Sequence, residues 1–248
     1  MSGNANQVEL YNEKLAEIYD KIYHFKNYEL DVAYVLNCVR QRLPEARSLL
    51  EVACGTGNHT GGLSAAFQLG GLELSPAMLE RARAKHPSIL FHQGDMIDFD
   101  LRRTYDVICC LFRSIAFVKT RENFRRAIGA MARHLHPGGL LLIEPFFTPE
   151  TYWTGQVKMN FLDEPELKIA WLYVSGRDGD LGIMKNHFLV GCPSGVEHFT
   201  EEHKLALLNR DDYAAAFEAA GLDHEYDKVG PGNVGFYIGY RRTDSAAP

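Results

Sequence analysis

An α/β fold, a mostly parallel sheet with helices on both faces, is what the sequence predicts, and three observations predict it. Between Ser48 and Glu144 five short apolar runs, SLLEVA, LGGLEL, SILFHQ, YDVICCLF and GLLLIEP, alternate with stretches of helical period. That is the pattern of strands joined by crossover helices. The first run leads straight into the glycine turn Gly55-Thr56-Gly57, which opens a helix. At 248 residues the chain suits one large domain carrying an insertion and is short for two domains with a linker.

The elements follow in order. Apart from short tails at Met1 to Gln7 and Asp244 to Pro248, nothing reads as a linker or repeat. From Asn12 to Tyr23, Leu15, Ile18, Tyr19 and Ile22 recur at three- and four-residue spacings, one apolar face of a helix. A second helix is expected from Leu30 to Leu43, ending before Pro44. Ser75 to Lys85 is a helix with Ser75 as N-cap and Pro76 in its first turn. In Glu122 to Leu135, Phe124, Ile128, Met131 and Leu135 share a face, and a Pro137-Gly138-Gly139 turn follows. His134 and His136 stand in the last turn, where histidines serve the helix end rather than catalysis.

After Pro145 the pattern changes. Lys168 to Val174, Gly182 to Val190 and Glu197 to Leu208 are β-prone, with Arg177-Asp178-Gly179-Asp180 as the turn between the first two. They predict an antiparallel β insertion. Asp211 is expected to cap a helix through Ala220, ended by Gly221, and Asn233 to Tyr240 to return as a strand at a sheet edge.

Bulk properties narrow the partners. A formal net charge of -6 without a Lys/Arg-rich run argues against nucleic acid, whose phosphates demand many neutralising cations. The polar start MSGNANQVELYNEK and the lack of any long apolar run predict no signal peptide and no membrane association, hence a cytoplasmic protein. Five cysteines, Cys38, Cys54, Cys109, Cys110 and Cys192, lack metal-site spacing and are expected as buried reduced thiols, with Cys109 and Cys110 on opposite faces of a strand.

Three strand ends carry ligand chemistry. In Glu51-Val52-Ala53-Cys54-Gly55-Thr56-Gly57 the glycines let backbone approach a ligand closely. Glu73, about 20 residues on, ends the next strand, where a carboxylate can accept hydrogen bonds from two ribose hydroxyls. Gly94-Asp95-Met96 ends the third and places an acceptor for an adenine amino group. Together these describe a nucleoside site. A dinucleotide fingerprint wants a third glycine where Thr60 stands, and Glu51 before the turn would repel a pyrophosphate. A carboxylate there suits a ligand bearing an ammonium and a sulfonium, which favours S-adenosylmethionine over NAD.

The segments SLLEVACGTGNHT, GLELSPAMLERAR, QGDMIDF and HPGGLLLIEP resemble class I S-adenosylmethionine methyltransferases from Ser48 to Pro145. LAEIYDKIY, CCLFRSIAFV and EPFFTPETYWTG narrow the resemblance to antibiotic-tailoring N-methyltransferases, among them amino-sugar N,N-dimethyltransferases and lincosamide N-methyltransferases. The resemblance implies a single Rossmann-like domain over 1–248. Residues 1–44 would be a helical lid, 45–147 the cofactor-binding core, 148–210 a β insertion over the substrate site, and 211–243 a closing helix and strands. It implies that Tyr19 and Tyr28 cover the cofactor and that Leu74 and Met78 flank the adenine. Asp95 and Met96 would hold the adenine edge, and Leu111 would border the methionine portion. Glu51, Ala53, Gly55, Gly57 and Glu73 complete the expected cofactor set.

Methyl transfer to an amine is an in-line displacement that needs a neutral lone pair aimed at the methyl carbon, so positioning can supply much of the rate and no metal is required. Aromatic walls suit a site from which bulk water is removed. Candidates are Tyr11, Tyr19, Phe117, Phe146, Phe147 and Trp153, with Tyr11 and Phe117 expected in the catalytic role and Phe146, Phe147 and Trp153 against substrate. At Phe117 the amino-sugar enzymes carry a histidine, and their paired tryptophans are Phe146 and Phe147 here. Loss of that proton acceptor leans the expected acceptor toward a lincosamide-type, sugar-containing amine.

The alternatives are a nucleotide-linked amino-sugar N,N-dimethyltransferase, then a small-molecule O-methyltransferase, then an NAD-dependent oxidoreductase or a non-catalytic cofactor-binding module. Phe112-Arg113-Ser114 offers no base or metal ligand for O-methylation, and Cys110-Leu111-Phe112-Arg113 does not fit the Asn/Asp-Pro-Pro-aromatic run of a nucleic-acid adenine methyltransferase. Acceptor, methyl count and oligomeric state, a homo-oligomer included, stay open.

Overall fold

A computed structural model describes residues 11, 13–231 and 234–243. The tails Met1 to Gln7 and Asp244 to Pro248, and the expected element starts Asn12 and Asn233, lie outside the described residues.

Seven strands form the main sheet: β1 (Ser48–Val52), β2 (Gln68–Glu73), β3 (Leu90–Gln93), β4 (Tyr105–Cys110), β5 (Leu135–Ile143), β10 (Leu222–Asp227) and β11 (Phe236–Arg241), in spatial order β10-β11-β5-β4-β1-β2-β3. Strands β1 to β5 are parallel, and β11 runs antiparallel to both β5 and β10. Strand order reverses between β1 and β4, and in open sheets of this kind a crevice opens beyond the carboxyl ends at such a point. The expected last strand is thus interior, and β10, which the sequence reading missed, is the edge. Its DHEYD alternation is half-buried and mostly polar, so it carries little apolar signal.

Alternation along β4 divides the core. Val107 and Cys109 pack with Val35 and Val39 of α2 (Tyr28–Arg42), whereas Ile108 and Cys110 pack with Phe124, Ile128 and Met131 of α5 (Arg121–Arg133). The two adjacent cysteines therefore face opposite layers, as strand geometry requires. Four cysteines are buried, while Cys192, at the end of a hairpin strand, is exposed. Helix α4 (Pro76–Lys85) lies beyond β2, with Ser75 accepting from the Met78 amide at 3.3 Å. Between β1 and β2 is α3 (Thr60–Ser64). Helix α6 (Arg210–Ala219) is capped by Asn209 in a reciprocal box with Asp212, not by Asp211. The earlier residue wins because its side chain reaches the N3 amide. The Pro137-Gly138-Gly139 segment lies inside β5, where pairing with β4 shifts register between Tyr105 and Val107.

A second, antiparallel sheet is built from β6 (Val157–Glu164), β7 (Leu167–Asp178), β8 (Leu181–Cys192) and β9 (Gly195–Ala206) in sequential order. Gly179, at φ +56, makes the predicted turn between β7 and β8. Strand β6 was not anticipated. Its Val157, Met159 and Phe161 all point outward, so the usual coupling of apolar face to core is inverted. Ile169, Trp171 and Phe188 on the inner face pack against Leu15, Ile18 and Ile22 of α1 (Glu13–Ile22). Burial of that stripe holds α1 to the insertion, each fully buried aliphatic side chain contributing about 1.5–3 kcal/mol relative to exposure. No helix among the described residues is long and apolar enough to cross a membrane.

Candidate active site

Beyond the carboxyl ends of β1, β2, β3 and β4 lies a cavity of about 490 Å³. Of the residues singled out from sequence, Tyr11, Tyr19, Ala53, Gly55, Glu73, Leu74, Met78, Asp95, Met96 and Phe117 line it. A recess of about 30 Å³ adjoins it, bordered by Tyr19, Tyr28, Ala53, Gly55 and Leu111 together with Thr56, Asn58 and His59. Glu51, Gly57, Phe146, Phe147 and Trp153 line neither.

The turn after β1 is built from left-handed backbone. Ala53, Gly55 and Gly57 have φ of +57, +57 and +79. Gly55 has open space where a Cβ would stand, so a ligand can approach it. At Gly57 a Cβ would meet the His86 ring at 3.0 Å, so this glycine is needed for packing against the end of α4 rather than for a ligand.

Glu73, at the end of β2, accepts from the Gly55 amide at 2.9 Å and from the Ser75 amide at 2.8 Å. Burial pushes its carboxyl above the usual range, against the amides of Ser75 and Gly55 that favour the charged form. At the end of β3, Asp95 accepts from the Ile97 amide at 2.9 Å and turns the chain along the cavity wall.

Glu51 does not face the cavity. Its carboxylate accepts from Thr60 Oγ1 at 2.7 Å and lies 3.3 Å from Nδ1 of His59, whose Nε2 is 3.0 Å from Asp31. Lys26 completes the chain, 2.5 Å from Asp31. Burial works against a charge on His59, but the two carboxylates outweigh it and push the imidazole up to about 9. The charge argument from sequence therefore acts at one remove, through His59, because Glu51 is fully enclosed and must be satisfied inside the protein.

The N-terminal segment closes over the turn. Asp20 accepts from Thr56 Oγ1 at 2.6 Å, from Asn58 at 3.0 Å and from Lys85 at 2.8 Å. Burial opposes ionisation of Asp20, yet the hydrogen bonds from Lys85 and Thr56 hold its carboxyl below the usual range. Sequence gave no hint of this staple, since it joins three segments far apart in the chain.

At the other end of the cavity Tyr11 and Phe117 stand 5.6 Å apart, ring centre to ring centre, and Tyr19 lies 5.7 Å from Tyr11. Burial pushes the Tyr11 and Tyr19 hydroxyls well above the ordinary phenol range, so both stay protonated. His203 of β9 joins them, 5.3 Å from Tyr11 and 5.5 Å from Phe117, with Nε2 3.1 Å from Glu201. His203 and Glu201 were missed in the sequence. The available signal was their i, i+2 spacing on a strand whose other inward residues, Phe199 and Leu205, are apolar. Phe146, Phe147 and Trp153 gather instead with Tyr152, Trp153 stacking on Tyr152 at 5.7 Å and Arg113 standing over Phe147. After β4, Phe112 and Arg113 are both left-handed, and Glu144 braces the bend by accepting from the Phe112 amide at 2.7 Å.

These residues fit S-adenosylmethionine. Four carboxylates, Asp20, Asp31, Glu51 and Glu73, bond to residues 55–60; Lys85 stands on Asp20, and Lys26 and His59 on Asp31 and Glu51, while Glu73 lines the cavity. A carboxyl at that wall suits the ribose hydroxyls and a cationic ligand better than a diphosphate. The Tyr28 hydroxyl is buried in the recess with no hydrogen-bond partner among the described residues, a donor suited to an α-carboxylate.

Comparison with known proteins agrees. Residues 49–139 match the model of a family described as a methyltransferase domain. The chain is 39% identical over 234 residues, 93% of its length and 99% of the relative's, to dTDP-3-amino-3,4,6-trideoxy-alpha-D-glucopyranose N,N-dimethyltransferase of Streptomyces venezuelae. It is 39% identical over 235 residues, 94% of each chain, to dTDP-4-amino-2,3,4,6-tetradeoxy-D-glucose N,N-dimethyltransferase of Saccharopolyspora spinosa. The solved structure of an S-adenosylmethionine-bound amino pentose methyltransferase from Micromonospora echinaspora superposes with a TM-score of 0.83 at 34% identity, covering 97% of this chain and 99% of that one.

Proposed function

This chain belongs to the class I S-adenosylmethionine-dependent methyltransferases, among the antibiotic-tailoring N-methyltransferases, and on that premise we propose that it methylates the amine of a nucleotide-linked amino sugar. The single observation that carries the acceptor class is the 39% identity, along nearly the full length, to two enzymes named for dTDP-linked amino sugars. The lincosamide-type acceptor suggested by Phe117 gives way to this alternative, because one ring in the pocket weighs less than likeness along the whole chain.

When bound, S-adenosylmethionine supplies a methyl group activated by its sulfonium. In this reading Glu73 accepts from the ribose hydroxyls, Leu74 and Met78 flank the adenine, and Asp95 and Met96 hold its edge. Tyr19, Tyr28 and Leu111 border the methionyl end, with Ala53 and Gly55 giving close backbone approach. Glu51 and Gly57 act indirectly, by holding His59 and the turn. Tyr11, Tyr19 and Tyr28 of the N-terminal segment cover the cofactor side, and the insertion 148–210 backs the Tyr11 and Phe117 rings through His203.

Tyr11 and Phe117 contribute by position. A primary amine attacks through its lone pair, and two rings 5.6 Å apart narrow its approach and exclude water. The Tyr11 hydroxyl, held protonated by burial, orients the nitrogen as a neutral hydrogen-bonding group. Phe146, Phe147 and Trp153 line neither space and pack with Tyr152, so they would support the substrate side from outside the cavity rather than touch the amine.

Two measurements test the reading. Titration should show binding of S-adenosylhomocysteine and none of NADH; the reverse preference eliminates it. Mass spectrometry of products from dTDP-linked 3-amino and 4-amino sugars, alongside lincosamide precursors, should show methylation of a dTDP-amino sugar and count the methyl groups. Methylation of the lincosamide precursor alone would return the acceptor to that class.

A further inference from the structure

The inward face of β9 carries an ionisable pair that methyl transfer by positioning alone does not require. Its inward positions are Phe199, Glu201, His203 and Leu205, and the two in the middle are almost fully buried. A carboxylate and an imidazole so placed cost free energy unless paired, and the 3.1 Å contact between Nε2 of His203 and Glu201 supplies the pairing. The His203 ring closes a triangle with Tyr11 and Phe117, the three centres 5.3, 5.5 and 5.6 Å apart, and the latter two rings line the cavity. Nδ1 of His203 has no hydrogen bond among the described residues. An imidazole oriented through one nitrogen by a carboxylate, with the other nitrogen left for a substrate, is the arrangement of a general base.

We propose that His203, oriented by Glu201, is the proton acceptor for the substrate amine. The proposal rests on the N-methyltransferase reading above and goes beyond it by assigning the proton's destination. On transfer, the amine lone pair becomes the new nitrogen–carbon bond and the carbon–sulfur pair stays on sulfur, which leaves the nitrogen positively charged. Its proton passes to Nδ1 of His203, the resulting imidazolium is balanced by Glu201, and the proton goes to water as product leaves. The nitrogen is thereby returned to the neutral form that a second transfer needs. The ionisable groups around His203 are few. Glu201 comes from its own strand and Tyr11 from the segment before α1, while Tyr23, just past α1, and Glu73 of β2 act on Tyr11. The 3-10 helix Ser114–Val118 presents only the Phe117 ring. The base that Phe117 cannot be is thus delivered from the insertion.

The test is kcat with dTDP-linked 3-amino and 4-amino sugars, for wild type and H203Q, with the product methyl count read in each. H203Q should fall by about 10²-fold in kcat, the lower end of what general acid–base catalysis supplies. Its product should stall at one methyl group, while S-adenosylhomocysteine affinity is kept. A second variant, H203A, should regain turnover in proportion to added imidazole free base, which a purely structural role for His203 does not allow. An H203Q enzyme with the wild-type kcat and methyl count overturns the proposal, as does an H203A enzyme that binds S-adenosylhomocysteine normally and ignores imidazole. Wild type that methylates neither amino sugar sinks the underlying reading, and the assignment to His203 falls with it.

Discussion

Ser75 donates its hydroxyl to the backbone carbonyl of Tyr11 across 2.9 Å while accepting from the amide of Met78, so one side chain both caps α4 and ties down the residue ahead of α1. The tie matters because Tyr11 sits at φ +56, a conformation that a residue with a side chain keeps only when its surroundings impose it. The Glu73 end and the Tyr11–Phe117 end of the cavity are therefore linked mechanically: the turn that follows Glu73 also fixes Tyr11.

Ser75→Ala should cost about 1 kcal/mol of stability through the lost cap, and should lower kcat beyond what that loss explains, because Tyr11 is released. Urea denaturation and steady-state kinetics read the two effects. Equal stability loss with unchanged kcat would show that Tyr11 holds its place without Ser75.

Glu73→Gln leaves one carbonyl oxygen where two carboxylate oxygens now serve the Gly55 and Ser75 amides. Hydrogen bonds to a charged group are worth about 1.5–3 kcal/mol, so S-adenosylhomocysteine affinity should drop about 10-fold or more by calorimetry. Affinity equal to wild type removes Glu73 from the cofactor site.

The nucleoside half of this site was legible in the sequence because its chemistry is local. Strand end, glycine turn and helix cap occupy consecutive residues, and Glu73 and Asp95 fall at the same point in successive units. At the other end of the cavity Tyr11 and Phe117 were reached only through resemblance and His203 not at all, because that corner is assembled from the segment before α1, the 3-10 helix and β9. Phe146, Phe147 and Trp153 look like pocket walls in one dimension, yet they pack with Tyr152 outside the cavity. His203 was hidden for the opposite reason: an imidazole among exposed Lys204 and Glu202 reads as surface until the strand's pleat turns it inward. The main sheet shows the same division. Strands β1, β4 and β5 announced themselves as apolar runs, as strands buried on both faces do, whereas the polar edge strand β10 and the outward-facing apolar residues of β6 break that association.

Tyr11→Phe separates hydroxyl from ring. The ring contacts to Phe117, Tyr19 and His203 remain, so cofactor affinity should stay at its wild-type value while kcat falls about tenfold, the worth of one hydrogen bond. Because burial keeps the Tyr11 hydroxyl protonated, the shape of the pH profile should be unaltered. A profile that changes shape in this variant would make Tyr11 a titrating participant rather than an orienting one.

The chain Glu51–His59–Asp31–Lys26 behind the glycine turn predicts how stability depends on pH. Burial lowers the affinity of His59 for a proton, but the hydrogen bonds to Asp31 and Glu51 raise it more, to about 9. In the unfolded chain an imidazole titrates near about 6.5. A proton bound more tightly in the folded state stabilises that state fully below the unfolded value, and the contribution is lost as pH rises through the folded one. The gap corresponds to about 3 kcal/mol, so the urea midpoint should fall steadily between roughly pH 6.5 and 9. His59→Gln should be less stable at neutral pH, since Asp31 and Glu51 lose a charged partner, and its midpoint should be nearly flat across that window. Parallel curves for the two proteins would mean that His59 carries no charge in the folded state, and that the carboxylates behind the turn are balanced by Lys26 alone.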